Sequence, residues 1–304
     1  MKKLIAISII AFIILSGCQR AGYYYRQGLN KWNFYNDING AKAKFDKAIE
    51  LNPGYAKAYL SRGIAKCRLR DTAGAIADYD KAIEIDSNLS ATYYYRGIVR
   101  SNLQDSPGAL SDFNIFIELN PENFLAYFYI AIVKRNLKDY NGALADMNKA
   151  IELNRKDAYY YTYYNRGLIK VDLHDYTGAI ADFDKTIVLK QDYALAYGNR
   201  GAAKEQLKDY KGAIVDYTKA IMFNPKYANA YGNRGIIKAE LHDYKGAIDD
   251  FNYAIELTPK NAELYFYRAN AKHRLNKDGF CIDWEKASAL GSKDANDSIK
   301  AYCK

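Results

Sequence analysis

The chain has 304 residues, 49% of them hydrophobic and 26% charged, a composition that excludes a disordered polymer and is ample for a packed core. Its formal charge is +9, but the lysines and arginines are spread along the whole length and form no basic cluster of the kind that enters a nucleic-acid groove, so no nucleic-acid partner is expected. Four cysteines and three histidines stand at no recognisable metal or nucleophile spacing, and GxxxxGK and GxSxG are both missing, so no metal, no cofactor and no enzymatic reaction is expected.

In chain order, MKKLIAISIIAFIILSGCQR comes first. Lys2 and Lys3 precede an apolar run from Leu4 to Leu15, and the small residues Ser16 and Gly17 precede Cys18, the layout of an export signal. The run is shorter than the roughly 20 residues that a membrane span needs. Leu15-Ser16-Gly17-Cys18 resembles the lipobox of bacterial lipoproteins. That resemblance implies a signal peptide over 1–17, acylation of Cys18 as the new N-terminus, a tether over 18–20 and a lipid-anchored place in the bacterial cell envelope. Gln19 stands where the inner-membrane retention signal of such proteins has Asp, which favours the outer membrane. Loss of Lys2 and Lys3 leaves a charge of +7, suited to an acidic envelope partner.

After the signal the chain repeats itself. AYGNRG at 196–201 returns unchanged at 230–235, and small residues recur at Gly28, Gly63, Gly97, Ala131, Gly167, Gly201, Gly235 and Ala269, in steps of about 34. A largely aromatic row follows the same period: Phe45, Tyr79, Phe113, Met147, Phe183, Tyr217, Phe251 and Trp284. Apolar spacing within each unit is helical, and Asp-Tyr-Lys-Gly at 209–212 marks a turn between two helices. Asn52-Pro53, Asn120-Pro121 and Asn224-Pro225 stop one hairpin before the next. Eight helical hairpins over 21–292, the last atypical, and a capping helix over 293–304 account for the rest of the chain.

Units six and seven carry the fullest pattern, Tyr197, Gly201, Tyr210, Ala213, Tyr217, Ala220 and Pro225, then the same types from Tyr231 to Pro259. The array resembles the tetratricopeptide repeat family, which implies an all-α, right-handed α-solenoid whose first helices line a concave groove. Ser87, Arg155 and Gln191 replace the loop proline, and two extra residues near Arg155 to Tyr159 predict a change of pitch between units four and five.

In a solenoid each unit touches only its neighbours, so recurring letters are scaffold and varying rows are left for recognition. Arg62, Arg96, Arg166, Arg200, Arg234 and Arg268 form one row and Asp78, Asp112, Asp146, Asp182, Asp216 and Asp250 another; their matching regularity favours structural ion pairs over an anion-binding ladder. In the family's groove positions stand Tyr25, Trp32, Tyr94, Phe128, Tyr161 and Tyr164, read either as anchors for a partner or as rings packed on one another. Asn165, Asn199 and Asn233 repeat beside Gly198 and Gly232, which would leave open places. These carboxamides are read equally as partners for the backbone of an extended peptide or as helix-to-helix hydrogen bonds. Lys57, Arg135, Arg26 and Arg274 are positioned to meet an acidic partner. Cys281 and Cys303 flank the last segment, where a disulfide would tie the terminal helix to the eighth hairpin.

The reading favoured is a lipid-anchored scaffold or adaptor of the envelope that holds an extended segment of a partner protein. A carbohydrate-binding or peptidoglycan-acting protein with a tyrosine-rich groove is the alternative. Nothing in the sequence sets the number of copies in the assembly.

Overall fold

The structure, a computed structural model, describes residues 2–154 and 159–303, with side chains from Gly17 onward. Every regular element among the described residues is an α-helix. The helices form two compact units, Met1–Leu153 and Asn154–Lys304. The first contains α1 (Lys2–Tyr35), α2 (Ile38–Leu51), α3 (Ala56–Arg68), α4 (Thr72–Ile85), α5 (Ser90–Asn102), α6 (Ser106–Leu119), α7 (Phe124–Asn136) and α8 (Tyr140–Leu153). The second contains α9 (Tyr160–Asp172), α10 (Tyr176–Leu189), α11 (Ala194–Gln206), α12 (Tyr210–Phe223), α13 (Ala228–Glu240), α14 (Tyr244–Leu257), α15 (Ala262–Arg274), α16 (Phe280–Ala289) and α17 (Lys293–Tyr302). Each odd helix packs chiefly on the even helix that follows it, and within each unit each hairpin packs on the next, which makes the chain an α-solenoid of hairpins. The change of pitch expected beyond Asn154 falls on residues 155–158, outside the described residues.

One turn design closes the hairpins. The first helix ends in a left-handed residue, such as Arg70, Gln104, His174 or Lys208 with φ between 60° and 65°, and the next amide reaches back five residues to the helix, as Asp71 N does to Lys66 O at 2.9 Å. That following aspartate then caps the second helix, accepting a hydrogen bond from the glycine amide three residues on. Asp37, Asp71, Asp105, Asp139, Asp175, Asp209 and Asp243 do so at 2.8–3.0 Å. His174 and His242 occupy the left-handed place and hydrogen-bond Tyr176 and Tyr244 through Nδ1, at 3.0 and 2.8 Å.

The core of each hairpin is the contact of the small row with the aromatic row. A Cβ added at Gly63 would lie 2.6 Å from the ring of Tyr79, and one added at Gly97 2.8 Å from Phe113, so the close approach of the two helices requires a residue without a side chain. Phe45, Phe113, Phe183 and Phe251 are fully buried, each contributing about 1.5–3 kcal/mol by transfer from water.

Around this core runs the ion-pair ladder. Asp78, Asp112, Asp182, Asp216 and Asp250 are buried, and each carboxylate takes an arginine and a second cation one turn further along the first helix. Asp283 joins the ladder in the last hairpin, paired with Arg268 and Lys272, although one residue is missing from the spacing there. In unit four the arginine position holds Ile130, and Lys134 pairs Asp146 at 2.6 Å. Several arginines also reach back to the preceding hairpin: Arg62 to Asp46, Arg96 to Asp80, Arg268 to Asn252. The guanidinium therefore staples three helices, and its bidentate geometry fixes their register.

The array ends on α17. Ala295, Ile299 and Cys303 lie against Trp284 and Ala287, and Cys281 and Cys303 are joined by a disulfide with a Cα–Cα separation of 5.8 Å. At the other end α1 is continuous from the apolar segment into the first hairpin. No helix among the described residues is long and apolar enough to cross a membrane.

Candidate functional site

In the first unit, two cavities open on the side of the first helices, one in each crevice beside α3. Leu29, Trp32, Asn33, Phe45, Ser61 and Ile64 line the first, of about 380 Å³, between α1 and α3. Ile64, Cys67, Thr72, Tyr79, Ile98 and Val99 line the second, of about 390 Å³, between α3 and α5. Arg68 and Tyr95 border both. The guanidinium of Arg68 lies 4.6 Å from the centre of the Trp32 ring, a cation–π contact. Cys67 is a free, half-buried thiol, its sulfur 3.6 Å from the Tyr79 hydroxyl.

Of the aromatic residues expected in this groove, Trp32 borders the first crevice, Tyr25 both packs and lines a separate cavity, and the others are engaged in packing. Tyr25 packs against Phe45 and Tyr55, with ring centres at 5.7 and 5.1 Å, and its hydroxyl is 3.3 Å from Ser61 Oγ. Tyr94 lies among Tyr95, Phe116 and Tyr129 at 5.1–5.5 Å. Phe128 is 4% exposed, so it is a core residue and not an anchor for a partner. Cys18 is exposed and lines a third cavity, of about 600 Å³, with Tyr25, Arg26, Tyr55 and Lys57.

The second unit is built differently on the same side. Tyr193, from the connection between the α9–α10 and α11–α12 hairpins, packs against Tyr160, Tyr161 and Tyr164 at 5.1–5.8 Å, and its burial raises its phenol pKa. Tyr160 stacks on Tyr161 at 4.4 Å, and their hydrogen bond pushes the Tyr160 pKa up to about 12. Gly198 is covered: an added Cβ there would lie 2.6 Å from the Tyr227 ring, and one at Gly232 3.0 Å from Leu264. The places next to the asparagine row are thus filled from the following connection and helix, which corrects the expectation that they stand open.

The asparagines spend their donors within the protein. Asn165 Nδ2 bonds the Tyr161 carbonyl at 2.8 Å. Asn199 Nδ2 bonds the Leu195 carbonyl at 2.9 Å and the Tyr164 hydroxyl at 3.0 Å, and Asn233 Nδ2 bonds the Tyr217 hydroxyl at 3.3 Å. Of the two readings of this row, the geometry favours hydrogen bonding among the protein's own helices.

Residues 36–90, 125–157 and 194–227 each match a model of the tetratricopeptide repeat family. These stretches are tetratricopeptide repeats. Comparison with curated proteins finds no significant match. Among solved structures the chain is similar to YrrB, described as a TPR protein with an unusual peptide-binding site, at 25% identity and a TM-score of 0.51 over 61% of this chain and 95% of that one. A tetratricopeptide repeat protein from Parabacteroides merdae aligns at 18% identity with a TM-score of 0.62, over 83% and 99% of the two chains. The pilF protein of Pseudomonas aeruginosa aligns at 17% and 0.61, over 69% and 94%. These last two show the fold alone.

The repeat frame also sets Arg274, expected to meet an acidic partner, in a row with residues that the sequence alone did not single out. Arg68, Asp172, Gln206, Glu240 and Arg274 fall at one place, five residues after the small residue of each repeat, a row that varies in charge as a recognition row would. Glu205, one residue earlier in its repeat, accepts a hydrogen bond from the Tyr217 hydroxyl at 2.8 Å. Burial raises its carboxyl pKa, and Glu240 adds to the rise against the opposing hydrogen bond. Arg274 and Glu240 line a shallow cavity of about 270 Å³ with Tyr244 and Tyr267. The signal for these residues in the sequence is the change of charge sign along one repeat position.

Proposed function

We propose that the protein is a lipid-anchored scaffold of the bacterial cell envelope that holds an extended segment of a partner protein across the first helices of its amino-terminal unit. The observation that carries this reading is the pair of open crevices on either side of α3, apolar in their depth and rimmed by Trp32, Arg68 and Tyr95. Such concave, largely apolar sites with a few polar groups at the rim are where ligands bind. The peptide-binding site in the description of YrrB supports the same use of the fold.

The anchor rests on Leu15-Ser16-Gly17-Cys18 and on the exposure of Cys18. Acyl chains on that cysteine would hold the protein at a bilayer, each buried CH₂ contributing about 0.8 kcal/mol. The absence of Asp after the cysteine favours the outer membrane.

Two variants test the two halves of the proposal separately. Cys18→Ala is expected to leave the protein unprocessed or soluble, and unchanged acylation and membrane attachment would refute the anchor. Trp32→Ala with Tyr95→Ala is expected to abolish in-cell crosslinking of a partner from this face while circular dichroism stays that of the wild type. Crosslinking that persists unchanged would refute the groove.

A further inference from the structure

Of the four cations of α3, Lys57 lies in the first turn, where it lines the cavity beside Cys18, and the other three divide into two kinds. Arg62 is held by Asp78 at 2.6 Å and by Asp46 at 2.8 Å, and Lys66 is held by Asp78 at 2.9 Å. Both are therefore spent on the scaffold. Arg68, half a turn beyond Lys66, touches the Trp32 ring and has no carboxylate partner among the described residues. Neither crevice beside it contains an aspartate or glutamate in its lining. An arginine stacked on a ring keeps its planar fork of donors available, and that fork matches a carboxylate.

From this placement we infer that Arg68 reads a carboxylate side chain in the bound segment, while apolar side chains on either side of that carboxylate enter the two crevices flanking α3. The inference rests on the groove reading above and adds the chemistry of the occupant. Packed helices lie about 8–10 Å apart, so neighbouring crevices are separated by the length of about three extended residues. Alternate side chains of an extended segment share a face, so an Asp or Glu with an apolar residue two positions away on either side presents all three to the ridge that carries Arg68 and to the crevices beside it. A single unpaired cation over apolar crevices suits one carboxylate; a phosphate dianion would call for several donors and cations converging on it.

The experiment is selection from a random heptapeptide phage library by the full chain in detergent micelles, followed by affinity measurement with the selected peptide and its Glu→Gln or Asp→Asn counterpart. Wild type is expected to enrich an acidic residue between two apolar ones, and Arg68→Gln is expected to weaken the acidic peptide about tenfold, the scale of a charge-assisted hydrogen bond. The neutral counterpart should bind wild type about tenfold more weakly and bind Arg68→Gln no differently from the acidic peptide, which isolates the pair. Arg68 is exposed at a helix end, so its replacement leaves the fold in place, checked by the thermal melt. Selected peptides without an acidic preference, or a cycle without coupling, overturn the inference and leave the groove reading standing. Selection of no peptide overturns both, and tighter binding of an acidic oligosaccharide, with polygalacturonate as the probe, overturns the peptide occupant.

Discussion

Beside Trp32 and Arg68, near the ends of α1 and α3, the space between successive first helices is open, whereas near the starts of α11 and α9 it is filled beside Gly198 by the ring of Tyr227 and beside Tyr164 by Tyr193. The two units share the turn, the small–aromatic interlock and the ion-pair ladder. They differ in the residue that enters from the connection between hairpins. In the second unit Tyr193 and Tyr227 fold back over the first helices; in the first unit the residues at that place are Tyr55, Leu89 and Asn123, of which Tyr55 packs on Tyr25 as Tyr193 does on Tyr164, while the crevices around Arg68 lie at the other end of α3. The connection residue thus sets how the start of each first helix is covered, whereas the crevices beside α3 open toward its carboxyl-terminal end.

The largest effect should fall on what the two units share. Asp112→Ala in the first and Asp216→Ala in the second each leave two cations without their buried partner, and each is expected to lower stability by about 3–5 kcal/mol in urea unfolding. A large loss in one unit and none in the other would break the claim of a common scaffold. Phe128→Ala should cost a similar amount, about 3–5 kcal/mol by cavity formation, while Arg68→Gln on the same unit stays within about 0.5 kcal/mol. Equal costs would mean that Arg68 belongs to the core.

Smaller effects sharpen the contrast within the second unit. Reduction of the Cys281–Cys303 bridge, which spans 22 residues, is expected to cost about 3 kcal/mol and to free α17, read as a change in Trp284 fluorescence with hydrogen exchange elsewhere unaltered. Glu205→Gln should act through pH. Because burial raises this carboxyl above its ordinary value of 4.5, the folded chain holds the proton more tightly than the unfolded one, and stability falls as pH rises from that value through the folded pKa. The neutral side chain removes that loss, so the variant should gain on the order of a few tenths of a kcal/mol at pH 8 and nothing below pH 4, since the site is partly solvated. A gain that grows at low pH would reverse the assignment.

The scaffold was legible in the sequence because it is written eight times. Period, hairpin, interlock and ion-pair rows all follow from identical neighbours meeting identical neighbours, and even the partner of Arg200 is named by its register with Asp216. The site was legible only in part. Trp32 was singled out and borders an open crevice, but Phe128 shares the groove row with Tyr94 and is buried, because the same row packs against different second helices in different repeats. Gly198 looked vacant from its own letter; what covers it, Tyr227, stands 29 positions away and enters from a connection whose conformation no periodicity reports. Arg68 was missed for the opposite reason: it is informative only once its neighbours Arg62 and Lys66 are seen to be engaged.

The central claim, that the crevices beside α3 are the face that takes a partner, meets its most direct test at Cys67. Its thiol is free and lines the second crevice, and the other free cysteine, Cys18, is distinguished from it by peptide mapping. Alkylation of Cys67 in the folded full chain should proceed readily without ligand and slow in proportion to occupancy as the library-selected peptide is added. An alkylation rate that does not change while the peptide is bound would place the partner elsewhere and contradict the account.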